Sequence, residues 1–383
     1  MKKTGILTYY YETHNYGGML QSYALPLFLK KNNILAEQIC YVRTDEWAFT
    51  KADYSNIKKS SFLLRLKNKL LSKKYVKKIC PKFKNRNRKF SEFEKCIPHS
   101  QKVYNLESIS QTNEMYDNFI VGSDQIWSFR CFNPTFFGEF VSVNRRLISY
   151  AASAGKSVFL EKEKKYLRDA LNRFEAISVR EKDLVNTISS LISKKEIKSV
   201  VDPTLLLEKE DWDKITSDNL IEEQYLFCYF LGSDTRLRKL ARKYAKMHGL
   251  KIVTIPFANQ SFNSADFGFG DMGLYDAGPS EFVTLIKNAE CIFTDSFHAT
   301  VFSLIYEKQF FVFDRIEHKG MSSRLCSLTE MFECTERFCD SNDKFDTNYL
   351  NSVLNMDYNR EFTLFESEKR KSISFLLNNL NEK

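Results

Sequence analysis

Long apolar runs are absent from the sequence, although 43% of its 383 residues are hydrophobic. No stretch reaches the roughly 18 uncharged apolar residues that a membrane-spanning helix needs, so we expect no such helix. The first residues, MKKTGILTYYYETHNYGG, contain an apolar stretch too short for a signal peptide and no small-residue cleavage site. These absences predict a cytoplasmic protein, and the length favours two domains.

Metal-binding motifs are absent as well, because none of the nine cysteines forms a Cys-x-x-Cys pair. The nearest approach to a cluster is Cys326, Cys334 and Cys339, whose spacing matches no zinc or iron–sulfur motif. We therefore expect reduced thiols that pack as small hydrophobic side chains, and neither a metal ion nor a cofactor.

Positive charge is concentrated in one segment. Residues 51–95 contain 16 Lys and Arg against 3 Asp and Glu, so the rest of the chain is slightly acidic although the total is +9. Within this segment, 60–79 has Leu63, Leu66 and Leu70 on one helical face and basic residues on the other. The segment is either a solvated helical insertion or a peripheral contact with anionic lipid at the inner membrane. We expect no nucleic acid partner, because aromatic residues for base stacking are sparse there.

Short apolar strands alternate with helical stretches along most of the chain, which predicts an α/β fold of βαβ units with parallel sheets. Strands are predicted within residues 5–10, 36–42, 116–127, 145–155, 174–183, 197–207, 224–232, 251–257, 291–294 and 310–314, and helices within 19–32, 235–250, 278–290, 298–307, 322–332 and 362–380. Pro26 should kink or break the first of these helices.

The pattern divides into two Rossmann-like domains and a terminal helix. We place the N-terminal domain at residues 1–205, with the basic helical insertion at about 51–95, the second domain at 206–360 and an amphipathic C-terminal helix at 361–383. Open parallel sheets bind ligands at the carboxyl ends of their strands, so we expect a ligand between the two sheets at those ends.

Polar residues at the predicted strand ends are therefore the candidate site residues. They are Asn15, Gly17, Gly18, Ser123, Asp124, Gln125, Arg180, Ser296 and His298, with Arg324 at the start of a later helix. Glycines before a helix let an anion approach backbone N–H groups, although paired glycines are also common in ordinary turns. An aspartate in such a turn suits binding of a sugar hydroxyl or action as a base, and equally suits helix capping.

Arg180 and His298 have the most specific chemistry of this set. A guanidinium at a strand end suits bidentate binding of phosphate or carboxylate, and otherwise a surface ion pair with Glu181 or Asp183. Arg324 is similar. The chain has only five histidines, and His298 stands at the start of an apolar helix. An imidazole there either exchanges a proton with a substrate or is hydrogen-bonded within the core.

Seven motifs follow one another along the chain in this order: NYGGMLQSYAL, VGSDQIW, SYAASAG, ISVREK, VVDPTLLL, TDSFHATVFSLIYEKQFFVF and SSRL. From about residue 5 to 335 the chain resembles the polysaccharide pyruvyl transferase family. The resemblance implies two Rossmann-like domains arranged as in GT-B glycosyltransferases, with 206–360 as the donor-binding domain. It also implies transfer of pyruvyl from phosphoenolpyruvate to a sugar of a bacterial surface polysaccharide or its lipid-linked precursor, with formation of a ketal and release of phosphate.

The resemblance implies roles for individual residues. His298 matches a histidine that contacts the donor, and an acid is needed there to protonate C3 of phosphoenolpyruvate. Arg180 matches an arginine of an Arg-Glu motif that contacts the donor. Asp124 is the candidate base for the sugar hydroxyl, with His14 as the reserve.

Two other functions stay open on the sequence. One is glycosyl transfer from a nucleotide sugar on the same architecture, for which Glu317 is a candidate ligand. The other is a glycan-binding protein with a decayed site, because some family members have arginine where this chain has Ser296. In an active enzyme, Ser296 or Arg324 would compensate for that lost charge.

Overall fold

The computed structural model describes residues 2–43, 82–192, 195–256, 258–259, 261–315, 323–340, 345–353, 356–359 and 362–381. The predicted basic helix at 60–79 and Glu317 lie outside the described residues.

Strands and helices alternate along the described chain. The strands are β1 Lys3–Leu7, β2 Leu35–Tyr41, β3 His99–Tyr104, β4 Asn118–Val121, β5 Arg146–Ala152, β6 Ala176–Val179, β7 Ile197–Ser199, β8 Tyr225–Tyr229, β9 Lys251–Thr254, β10 Ala258–Asn259, β11 Ser261–Phe262, β12 Met272–Gly273, β13 Cys291–Thr294, β14 Gln309–Phe313 and β15 Phe338–Cys339. The helices are α1 Tyr16–Lys31, α2 82–94, α3 Glu161–Leu171, α4 Lys182–Leu191, α5 Lys209–Asp213, α6 Thr235–His248, α7 Pro279–Lys287, α8 Phe297–Ile305, α9 Ser323–Met331, α10 Thr347–Ser352 and α11 Thr363–Asn381.

The chain forms two compact units, each built on its own sheet. Of the described residues, unit 1 contains 2–43, 94–207 and 362–381, and unit 2 contains 82–93 and the described part of 208–361. The sheet of unit 1 has the order β3-β2-β1-β4-β5-β6-β7, and the main sheet of unit 2 has the order β12-β9-β8-β13-β14-β15. All neighbouring strands in both sheets are parallel.

Both sheets reverse their strand order at one point. Counted from the first strand of each unit, both follow the doubly wound order 3-2-1-4-5-6. The reversal lies between β1 and β4 in unit 1 and between β8 and β13 in unit 2. The predicted fold class, α/β with two Rossmann-like parallel sheets and a C-terminal helix, is confirmed.

The observed division differs from the predicted domains in two places. Residues 82–93 of the basic segment group with unit 2 rather than with the N-terminal domain, and Lys89 of this stretch forms an ion pair with Glu281 at 2.5 Å. The C-terminal helix α11 is not separate but part of unit 1. The main-chain oxygen of Asn379 accepts a hydrogen bond from Arg146 at 2.6 Å, and Ser372 accepts one from the N–H of Val201 at 2.9 Å.

Of the kink or break predicted at Pro26, the break does not occur, because α1 continues from Tyr16 to Lys31. Proline removes the N–H that would bond to the carbonyl oxygen four residues earlier, here that of Ser22. The buried side chain of Gln38, on the neighbouring strand β2, donates to this oxygen at 2.9 Å. A strand side chain thus replaces the missing helical hydrogen bond.

Apolar strand residues and the helix faces that cover them form a hydrophobic core in each unit. In the core of unit 1, Trp127 stacks on Phe137 with ring centroids 5.9 Å apart, and the indole N–H donates to the carbonyl oxygen of Phe136 at 3.0 Å. Among the residues that the structure describes, no helix is both long enough and apolar enough to cross a membrane.

Candidate active site at the strand ends of each unit

In unit 1, the loops after β1 and β4 are joined at the point where the strand order reverses. The hydroxyl of Thr8 donates to the carbonyl oxygen of Ser123 at 2.8 Å, and the amide of Gln21 donates to Thr8 at 3.0 Å. All three residues are buried. The two loops that the reversal rule selects for ligand binding are therefore held together by a continuous hydrogen-bond chain.

The amino end of α1 lies against the first of these loops. Asn15 caps the helix, because its side-chain oxygen accepts the N–H of Gly18 at 3.2 Å. A Cβ atom at Gly18 would stand 2.7 Å from the carbonyl oxygen of Tyr9, so only glycine permits this approach. Gly17 is buried in the same first turn. The structure thus gives Asn15 and Gly18 capping and packing roles at a helix start.

Arg180 lies in a buried charge cluster after β6. Its guanidinium pairs with Asp202 at 2.7 Å and with Asp124 at 3.4 Å. Burial alone would lower the pKa of Arg180, but the negative charges of Asp202, Asp124 and Glu181 outweigh it and hold that pKa above its ordinary value. The cluster therefore fixes one cation among three carboxylates, instead of the surface ion pair that was the alternative for Arg180.

Ser123 and Gln125 lie beside this cluster. The hydroxyl of Ser123 is 3.1 Å from Asp202 Oδ2 and donates either to it or to the carbonyl oxygen of Ala151. The amide of Gln125 fills the space where a Cβ atom at Gly155 would lie, 2.9 Å from that position. The Asp124 side chain is 12% exposed against 3% for Arg180, so its carboxylate is the member of the pair that reaches solvent.

In unit 2, Asp295 joins the loops after β8 and β13. Its two carboxylate oxygens accept the N–H groups of Leu231 at 2.7 Å and Gly232 at 2.8 Å. Burial raises the pKa of Asp295 above its ordinary value, and the positive charge of Arg315 together with these hydrogen bonds opposes the shift. This buried carboxylate holds the second point of strand-order reversal together.

Ser296 and His298 lie at the start of α8, directly after Asp295. Ser296 caps the helix, with its hydroxyl oxygen 3.5 Å from the N–H of Ala299, and its own N–H donates to Thr294 at 3.0 Å. His298 is in the first turn and is 9% exposed. Its ring stands edge-on to that of Phe297, with centroids 5.2 Å apart.

Arg324 also lies near this helix start. Its guanidinium carbon is 5.8 Å from the centre of the Phe297 ring, and the side chain is buried. Unit 2 thus brings Ser296, His298 and Arg324 to one region, and unit 1 brings together Ser123, Asp124 and Arg180. Within the described residues, no group of three or more His, Cys, Asp or Glu side chains is placed to hold a metal ion.

Three buried or half-buried charges in these regions were not predicted. Asp202 lies within the predicted strand segment 197–207 and was not a candidate site residue, although it is the closest partner of Arg180. Arg238 holds the loop after β8 by donating to the carbonyl oxygen of Gly232 at 3.0 Å, and it pairs with Asp266 at 2.6 Å. Arg315 lies two residues beyond β14, and a basic residue so close to the end of the apolar strand QFFVF was the signal for it.

The two doubly wound parallel sheets define the class of α/β proteins with two Rossmann-like domains. The chain belongs to the polysaccharide pyruvyl transferase family, whose model matches residues 15–317. No curated protein matches the sequence significantly.

Solved structures of similar fold include UDP-GlcNAc 2-epimerases. One is a UDP-GlcNAc 2-epimerase from Methanocaldococcus jannaschii, at 12% identity and a TM-score of 0.55, covering 99% of each chain. Another is the UDP-GlcNAc 2-epimerase from Neisseria meningitidis bound to UDP-GlcNAc, at 12% identity and a TM-score of 0.53, covering 99% of this chain and all of the other. A third, from Rickettsia bellii, is 10% identical with a TM-score of 0.52, covering 100% of this chain and 98% of the other. At this identity the likeness concerns the fold alone.

Proposed function

We propose that this protein transfers pyruvyl from phosphoenolpyruvate to two hydroxyl groups of one sugar, in a bacterial surface polysaccharide or its lipid-linked precursor. The observation that carries the proposal is the family match over residues 15–317, which includes every candidate residue at the strand ends except Arg324. The product is a pyruvate ketal, and inorganic phosphate is released.

The reaction needs one acid and one base at defined atoms. A proton added to the C3 methylene turns it into a methyl group and leaves positive character at C2, which the first sugar hydroxyl attacks with loss of its proton. Departure of phosphate from C2 lets the second hydroxyl attack, and the proton of that hydroxyl leaves with phosphate. The protein must therefore deliver one proton to C3, remove protons from oxygen and hold a phosphate and a carboxylate.

His298 is the proposed acid. It lies in the first turn of α8, and the hydrogen bonds from the N–H groups of Leu231 and Gly232 to Asp295 fix the loop that precedes this helix. Positive helix-end charge and a nearby cation such as Arg324 would stabilise the dianionic donor. Ser296 caps α8, and its hydroxyl hydrogen remains able to donate to the donor in place of the arginine that some members have.

Asp124 is the proposed base, and Arg180 orients it. The ion pair at 3.4 Å holds Asp124, whose side chain is the more exposed of the two. Because Arg180 is compensated by carboxylates, it offers less net positive charge to a donor than an isolated arginine would. We therefore assign to it the positioning of Asp124 together with one contact to an anionic group of the donor.

The test is transfer from phosphoenolpyruvate compared with transfer from UDP-GlcNAc, using a set of lipid-linked saccharides. We expect phosphate release and a mass gain of one pyruvate less one water with phosphoenolpyruvate. His298→Gln should lower the rate by about 10²–10⁴-fold, whereas His248→Gln, an exposed histidine of α6, should leave it unchanged. Release of UDP with sugar transfer would replace the proposal with glycosyl transfer, which the fold of the UDP-GlcNAc enzymes also supports. Donor binding without turnover on any saccharide would favour the glycan-binding alternative.

Contact with an anionic membrane through residues 51–95 would bring the enzyme to a lipid-linked acceptor. Liposome flotation with and without phosphatidylglycerol tests this contact. We expect binding that requires the anionic lipid and weakens as salt is raised, and flotation independent of lipid charge would contradict it.

A further inference from the structure

A cavity in unit 2 lies at the edge of the sheet opposite to the strand-end residues. It has a volume of about 520 Å³ and is formed by the end of α6, the start of β9 and the loop at 268–271. Lys251 is the first residue of β9, whereas Asp295 follows the last residue of β13. In these parallel strands Lys251 is level with Tyr225 and Cys291 with Leu226, so Asp295 lies about 17 Å from the level of Lys251 along the sheet.

The chain around this cavity is strongly basic. Residues 235–251 contain seven Lys and Arg and no Asp or Glu. Two of the seven are paired, Arg236 with Asp234 and Arg238 with Asp266. The other five are exposed and, among the described residues, form no ion pair: Lys239, Arg242, Lys243, Lys246 and Lys251.

Stabilisation of the helix end does not account for these charges. Basic residues favour the last turn of a helix, but the effect falls off within that turn. Lys239, Arg242 and Lys243 precede the last turn, and Lys251 lies on the following strand. Like charges three and four residues apart on α6 also repel one another. A bound anion would offset this electrostatic repulsion.

One cation of the cavity wall is held in a fixed position. Arg242 donates to the carbonyl oxygen of Gly268 at 2.5 Å and stands 5.8 Å from the centre of the Phe269 ring, which holds the guanidinium in place. Lys246 and Lys251 also line the cavity. At Gly268 the backbone has a φ of +67° and no heavy atom lies within 4 Å of a Cβ position, so this wall is open.

One carboxylate also lines the cavity, but it is already engaged. Asp271 accepts the N–H of Ile252 at 2.7 Å and extends the sheet edge. The lining therefore has three cations, Arg242, Lys246 and Lys251, against this single anion. Arginine matches a carboxylate in a bidentate manner, and a cavity of this size accommodates a small ligand of a few rings.

From this geometry we infer that the cavity binds a carboxylate-bearing saccharide. The ligand class rests on the proposed function, because each pyruvate ketal adds one carboxylate to the acceptor and the modified polymer becomes a polyanion. A concave site with a fixed guanidinium suits a discrete sugar acid better than a flat lipid surface. The cavity would hold residues already modified while a further sugar occupies the strand-end site.

Calorimetric titration at low ionic strength tests this inference, with trigalacturonate as the acidic probe and maltotriose as the neutral one. We expect trigalacturonate to bind and maltotriose not to bind. A triple variant, Arg242→Gln, Lys246→Gln and Lys251→Gln, should lose about tenfold or more in affinity for trigalacturonate. The matched control, Lys30→Gln, Lys165→Gln and Arg168→Gln, removes three exposed charges from unit 1 and should change the affinity by less than about twofold.

Four results would overturn the inference: no binding of trigalacturonate, equal binding of maltotriose, an equal loss in the control, or binding of phosphatidylglycerol vesicles in place of the trisaccharide. The titration contains no phosphoenolpyruvate, so its outcome is independent of transfer. His298→Gln should lower the transfer rate by about 10²–10⁴-fold and leave trigalacturonate binding intact, which separates failure of the cavity from failure of the proposed reaction.

Discussion

Replacement of Asp295 by alanine tests how the second strand-end site is held together. The carboxylate accepts two main-chain N–H groups at 2.7 and 2.8 Å, and hydrogen bonds to a charged group contribute about 1.5–3 kcal/mol each. The burial that raises the pKa of Asp295 offsets part of this sum. We therefore expect Asp295→Ala to lower the free energy of unfolding by about 2–4 kcal/mol, and to lower transfer activity because the loop before His298 is released.

Urea unfolding and amide hydrogen exchange give the measurement. Protection should be lost first at the amides of Leu231 and Gly232, which are the two groups that lose their acceptor. Asp346→Ala is the matched control, because Asp346 also accepts two N–H groups but is exposed at the start of α10, where loss of a cap costs about 1 kcal/mol. Equal destabilisation in the two variants, or unchanged exchange at the two amides, would refute the reasoning.

The pH dependence of the same variant has a defined sign. Because the folded protein raises the pKa of Asp295, it binds this proton more tightly than the unfolded chain does. The stabilisation that comes from protonating Asp295 is complete below the ordinary aspartate pKa, and it is lost as the pH rises through the raised pKa of the folded protein. The difference in unfolding free energy between wild type and Asp295→Ala should therefore narrow as pH increases across that window, and a widening would contradict the assignment.

Three further outcomes follow from the described contacts. Arg180→Gln leaves buried carboxylates uncompensated and should lower the free energy of unfolding, measured in urea, by about 3–5 kcal/mol. Addition of Asp202→Asn should recover part of this loss. Full stability of the single variant would contradict the buried cluster. Gly18→Ala places a methyl group 2.7 Å from a carbonyl oxygen and should cost about 1–3 kcal/mol by the same assay, whereas an unchanged midpoint would show that the loop yields freely. At pH 8, iodoacetamide should label exposed Cys96 quickly and Cys291 only after unfolding, because burial raises the pKa of Cys291 to about 12. Peptide mass spectrometry measures the labelling, and rapid labelling of Cys291 in the folded protein would contradict its burial.

The sequence predicted the buried parallel strands well, because a strand covered on both faces is a continuous apolar run. Strand β13 coincides with the predicted segment 291–294, and β6 ends directly before Arg180 as expected. Strand β3, His99–Tyr104, was missed because it is at the sheet edge and its residues HSQKVY are largely polar and partly exposed. That α1 is not broken at Pro26 could not be predicted, because the donor that replaces the missing hydrogen bond comes from another element, which local sequence does not reveal.

The candidate site was predictable as a set of positions and less so as a set of contacts. The strand-end rule selected Asp124, Arg180 and His298 from residue type and place alone. It did not indicate that Arg180 pairs with Asp202, since the two are 22 residues apart and meet only through the sheet. The role of Ser296 as a helix cap depends on where α8 begins, which sequence patterns locate only within a few residues.

The return of α11 to unit 1 has a consequence for synthesis on the ribosome. Unit 1 is assembled from segments that are translated before and after most of unit 2, and Ser372 of α11 bonds to the main chain of Val201, just beyond β7. Nascent unit 1 therefore leaves that contact unmade, together with the bond between Arg146 and Asn379, until unit 2 has been translated. Completion of the first sheet's covering layer must wait for the second half of translation, which makes the order of emergence a constraint on how this chain folds.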